Sequence, residues 1–101
     1  MPFLITFYLT DDELLYDDFF NELFALCDNK FIQLYDGCIL CICYLSAIGI
    51  RNRLVPHLKT NDKLFIARLT YSDMAGQLSD KQKKWMKENI KKPLDISDQL
   101  R

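Results

Sequence analysis

An α+β fold of element order β-α-β-β-α-β, closed by a C-terminal helix, is predicted by three observations. The apolar runs Phe3–Thr10 and Cys38–Tyr44 have the length and composition of buried strands. Asp36-Gly37 joins the run Lys30–Tyr35 to the second of these as a tight hairpin with positive φ. Apolar residues at helical spacing fill the two long intervals, about Asp12–Cys27 and Ala47–Leu58.

Each element has its own signals. Phe3–Thr10 is nearly all apolar, which suits a central strand covered on at least one face. Thr10 or Asp11 is expected to cap the first helix, with acidic residues in its first turn where the helix dipole favours them. In that helix Leu15, Phe19, Leu23 and Leu26 form one apolar row, and Tyr16, Phe20, Phe24 and Cys27 a second. The doubled stripe is wider than one sheet face needs, so Phe20 and Phe24 are candidate contacts to a dimer mate or another partner. Asp28-Asn29 ends the helix.

Ser46 caps the second helix, with Ile50, Leu54 and Leu58 spaced by four and Pro56 expected to kink its last turn. Thr60-Asn61-Asp62 is a turn, Lys63–Tyr71 the fourth strand and Ser72–Leu78 a loop. Ser79 opens a basic helix to about Ile90, with Gln82 at the capping-box position, and Lys92-Pro93 stops it. The order is that of the split-βαβ, ferredoxin-like arrangement, with two helices on one face of a four-stranded antiparallel sheet. The domain is expected over residues 1–91, with a polar tail at 92–101. The second sheet face is too apolar to meet water and calls for the C-terminal helix or a second subunit.

Composition fits one globular domain: 101 residues, half of them hydrophobic, with a net charge of −1 that argues neither for nor against nucleic acid. The charge is unevenly spread. Residues 11–36 hold eight carboxylates against Lys30, whereas residues 51–101 hold twelve Lys and Arg against six acids. Such a dipole favours self-complementary association or partner docking. Cys38 and Cys41 have C-x-x-C spacing, but residues three apart on a strand point to opposite faces, and no second pair or His follows. Together with Cys27 and Cys43 they read as buried reduced thiols, which implies a cytoplasmic setting. The opening Met-Pro-Phe-Leu-Ile has no basic n-region, and no apolar run approaches the ~20 residues of a membrane span.

Catalytic motifs are sparse. His57 has no partner base, and there is no Gly-rich phosphate loop, nucleophile elbow or H-E-x-x-H. Asp11, Asp12 and Glu13 suit a helix N-terminus, and Asp17 and Asp18 fall on the polar side of the same helix. A candidate nucleic-acid or partner surface is formed by Arg51 and Arg53, by Arg68 in an otherwise apolar strand, and by Lys84 and Lys87 in the terminal helix. No resident cofactor is expected.

One set of residues, in order, resembles a known family. It comprises Phe3-Leu4-Ile5-Thr6-Phe7, Tyr16 with Phe19-Phe20, Ser46-Ala47, Ile50-Arg51-Asn52-Arg53-Leu54, Asp62, Leu64-Phe65-Ile66, and Trp85-Met86-Lys87-Glu88-Asn89. Over about residues 3–90 the chain resembles the SinR-like proteins, small relatives of the CRISPR-adaptation subunit and of VapD-type ribonucleases. The resemblance implies a ferredoxin-like protomer, a homodimer built through the sheet face or an edge strand, and a phage- or defence-linked setting. In the nuclease branch an Asp ends the first strand, and two such residues of a dimer hold one Mg²⁺ that activates water. Here that position is Tyr8. The expectation is therefore a non-catalytic, dimeric binding protein. The alternatives are a Mg²⁺-dependent endonuclease using displaced carboxylates Asp11 and Asp12, and a structural subunit of a larger complex.

Overall fold

A computed structural model describes residues 1–70 and 74–90. The strands are β1 (Pro2–Tyr8), β2 (Phe31–Tyr35), β3 (Cys38–Ile42) and β4 (Lys63–Arg68), and the helices are α1 (Asp17–Leu26), α2 (Ala47–Leu54) and α3 (Asp80–Asn89). The sheet order is β2-β3-β1-β4, antiparallel throughout, so the ferredoxin-like α+β arrangement is present. No helix among the described residues is long and apolar enough to cross a membrane. The tail 92–101, Tyr71 at the expected end of the fourth strand, Ser72-Asp73 of the following loop and the Lys92-Pro93 stop lie outside the described residues.

The central strands separate two apolar layers. On one face Phe3, Ile5, Ile39 and Cys41 meet Tyr16, Phe19, Leu23, Ile50 and Leu54, all buried in one cluster. Each such side chain contributes roughly 1.5–3 kcal/mol by leaving water. Phe20 and Phe24 find their partners within the chain. Phe20 packs edge-on against Phe7 and Phe19, and Phe24 stacks on Phe31 at 4.7 Å between ring centroids. Both stay half-buried and line a groove beside Asp36 and Gly37. The four cysteines are free and buried, Cys38 and Cys41 within β3 and Cys27 and Cys43 just past the ends of α1 and β3.

Local chemistry explains the element ends. Asp28 and Asn29 stop α1 by taking left-handed φ values of 50° and 58°, a conformation these two residue types tolerate. Ser46 Oγ accepts from Gly49 N to cap α2, and α2 gives way at Val55 to a 3₁₀ turn that contains Pro56. Ser79 and Gln82 form the full capping box of α3.

The start of the first helix departs from the sequence expectation. Neither Thr10 nor Asp11 caps it. Asp12 caps a 3₁₀ turn at Glu13–Leu15, and the α-helix begins only at Asp17. The break falls at Tyr16, a buried residue whose hydroxyl is engaged by Asp62 some 46 positions away. A long-range hydrogen bond thus overrides a continuous helical pattern. The same carboxylate draws Thr10 out of β1, which ends at Tyr8.

Candidate functional site

The end of β1 is where the resemblance places chemistry, and Asp62 organises it. Asp62 Oδ1 accepts from Thr10 N at 2.8 Å, from Thr10 Oγ1 at 2.8 Å and from Tyr16 OH at 3.0 Å. Asp62 Oδ2 accepts from Lys59 N at 2.7 Å. Partial desolvation pushes the carboxyl pKa up, but the amides of Lys59 and Thr10 and the hydroxyls of Thr10 and Tyr16 outweigh it and hold it at about 2. Asp62 is therefore an ionised staple that ties the turn before β4 to the segment after β1.

Asp11 and Asp12 are drawn into the same framework. Asp11 Oδ2 accepts from Lys59 Nζ at 2.8 Å, and Lys59 Nζ lies 5.1 Å from the centre of the Tyr16 ring. The hydrogen bond to Lys59 lowers the Asp11 carboxyl and raises the Lys59 ammonium. Asp12 Oδ1 accepts from Leu14 N at 3.0 Å as the cap of the 3₁₀ turn. Among the described residues, no group of three or more His, Cys, Asp or Glu is arranged to hold a metal ion.

Tyr8 stands apart from this framework, on the opposite face of the sheet. Strand register fixes that face: Leu4, Thr6 and Tyr8 of β1 lie with Leu40 and Cys38 of β3 and with Lys63, Phe65 and Ala67 of β4. The terminal helix covers only part of it. Leu4, Leu34, Leu40 and Met86 line one apolar cavity of about 450 Å³ beneath α3. The neighbouring row runs Tyr35, Cys38, Thr6, Phe65 across all four strands, and Tyr8 follows beside Lys63. Here Tyr8, Tyr35 and Phe65 are 63%, 67% and 65% exposed.

The five basic candidates do not converge. Arg51 and Arg53 project from α2 on the core-helix face, where Arg53 pairs with Glu22 at 3.3 Å and Arg51 donates to Asn52 Oδ1. Arg68 sits on the edge strand opposite Phe3, its guanidinium 5.7 Å from that ring centre, which is how an otherwise apolar strand tolerates the charge. Lys84 and Lys87 lie exposed on α3, which packs against the other face.

Sequence reasoning singled out Tyr8 but not its companions Tyr35 and Phe65, nor Lys59. The alternation of Leu64 and Ile66 with Phe65 and Ala67 already separates the two faces of β4. It does not show which face α3 leaves open. No protein-family model, curated relative or solved structure matches the chain.

Proposed function

We propose that this chain is a non-catalytic, homodimeric binding protein that takes up a macromolecule on the open half of its sheet. The observation that carries this reading is Tyr8. At the position where the resemblance implies a metal-binding carboxylate, the strand presents an exposed phenol next to two further exposed rings. A ring there supplies flat contact area, whereas Mg²⁺ asks for hard oxygen ligands. Asp11 and Asp12 do not substitute readily, because one is paired with Lys59 and the other caps a turn.

The two sheet edges differ in a way that supports a dimer through β4. At the β2 edge, Gln82 Nε2 donates to Gln33 O at 3.0 Å and to Leu34 O at 3.1 Å, occupying carbonyls another strand would seek. Among the described residues β4 has a neighbouring strand on one side only. Its edge is flanked by apolar side chains on both faces, Phe65 on one and Ile48, 70% exposed, on the other. Antiparallel pairing of two β4 strands centred on Phe65 sets each Leu64 opposite Ile66 and each Lys63 opposite Ala67, with no like charges facing.

Light scattering tests this directly. The expected mass is twice 11.9 kDa, falling to the monomer in Ile48→Glu with an unchanged circular dichroism spectrum. A wild-type monomer at all concentrations would overturn the dimer.

A further inference from the structure

We infer that the open strip formed by Tyr8, Tyr35 and Phe65 binds single-stranded nucleic acid by stacking bases on its rings. The inference rests on the binding-protein reading above and names its ligand class.

Three features of the strip converge. Its rings are exposed although they lie on a sheet, whose backbone holds them at fixed spacing. Thr6 and Cys38 separate Tyr35 from Phe65 along one row, which leaves two strand positions between these rings. At roughly 4.8 Å per strand the rings stand some 14 Å apart, with Tyr8 further along β1, a span suited to several nucleotides of an extended strand. Base stacking on aromatic side chains is the usual way a sheet face holds single strands.

Charge is the second feature. Among the described residues, the only charged strand residue in the register of this face is Lys63, directly opposite Tyr8. Of the turn carboxylates, Asp36 accepts from Gln33 Nε2 and lines the groove on the other face, and Asp62, next to Lys63, is held by Thr10, Tyr16 and Lys59. The adjoining helix α3 adds Lys81, Lys83, Lys84 and Lys87, with Asp80 and Glu88 as its acids. A strand stacked on the rings would therefore find the Lys63 ammonium at its Tyr8 end and the exposed lysines of α3, which packs on β2, on the Tyr35 side. By contrast, Asp17 and Asp18 belong to α1 on the opposite face, Asp11 is paired with Lys59 and Asp12 caps the 3₁₀ turn.

The third feature is the burial pattern between the rings. Cys38 is buried and Thr6 half-buried, so the strip is a shallow floor between exposed rings. Such a floor fits splayed bases better than a duplex, whose bases are already stacked on one another.

The test is fluorescence anisotropy with a labelled oligo(U), an oligo(dT) and a blunt duplex of equal length. Both single strands are expected to bind and the duplex to bind more weakly. Tyr8→Ala and Tyr35→Ala should each weaken single-strand binding about 5- to 100-fold, and Tyr8→Phe should restore it. Lys63→Glu should weaken binding and flatten its salt dependence by about one ion. Unchanged affinity in both alanine variants, equal affinity for the duplex, or no binding by the folded protein would each overturn the inference. So would a fall from dimer to monomer in Tyr8→Ala, which would show a second copy covering the strip. Mg²⁺-dependent cleavage of the probe would overturn the non-catalytic reading alone, leaving the stacking result to stand on the alanine variants.

Discussion

Replacing Tyr16 by Phe removes one hydroxyl and leaves the buried ring in place. That hydroxyl donates to Asp62 at 3.0 Å across a sequence separation of 46 residues. The ring is 2% exposed, so packing in the core cluster should survive the change. A hydrogen bond of this kind contributes roughly 0.5–1.5 kcal/mol net, and about 1 kcal/mol is expected because Asp62 retains three other donors. For a domain of this size that lowers Tm by about 4–8 °C.

The pH dependence sharpens the test. The folded Asp62 carboxyl is held at about 2, below the unfolded value of about 3.9. Its stabilising effect is therefore fully present above the unfolded value and is lost as pH falls through the folded one. The gap between wild type and Tyr16→Phe should be constant near neutral pH and close as the solution approaches pH 2. Thermal unfolding followed by circular dichroism reads both. Equal Tm values at neutral pH, or a gap that persists through the titration of Asp62, would refute the staple.

Two further outcomes follow from the packing. Gly37→Ala places a methyl group at φ +75° against the carbonyl oxygen of Phe7 in β1, so urea unfolding should show a loss of at least about 1–2 kcal/mol from the backbone conformation alone; an unchanged midpoint would contradict the turn geometry. All four thiols are buried, and the hydrogen bond to Cys27, burial and the neighbouring Cys43 push the Cys41 thiol pKa up, so a thiol reagent should label the native protein slowly and take up four equivalents only after unfolding.

Much of the fold was legible because its signals are local. Asp36-Gly37, the Ser79–Gln82 capping box and the Asp28-Asn29 stop each act within a few residues, and each stands where the pattern puts it. The break at Tyr16 was not legible, since its cause is a carboxylate that only the fold brings near. A helical pattern written by Leu15, Phe19 and Leu23 carries no trace of that partner, and Leu15 turns out exposed. The candidate surface was half legible. Tyr8 could be singled out from the strand end, but its grouping with Tyr35 and Phe65 depends on strand order and on how far α3 reaches across the sheet.

The central claim is that Tyr8 marks a binding surface and no metal-dependent nuclease. The most direct measurement incubates the pure protein with labelled RNA and DNA, with and without Mg²⁺, and resolves the products on a denaturing gel. Intact nucleic acid in every lane, with retained complex on a parallel native gel, is the predicted result. Cleavage that requires Mg²⁺ and disappears in the Asp11→Ala/Asp12→Ala variant would contradict it and make this chain a nuclease with a relocated site.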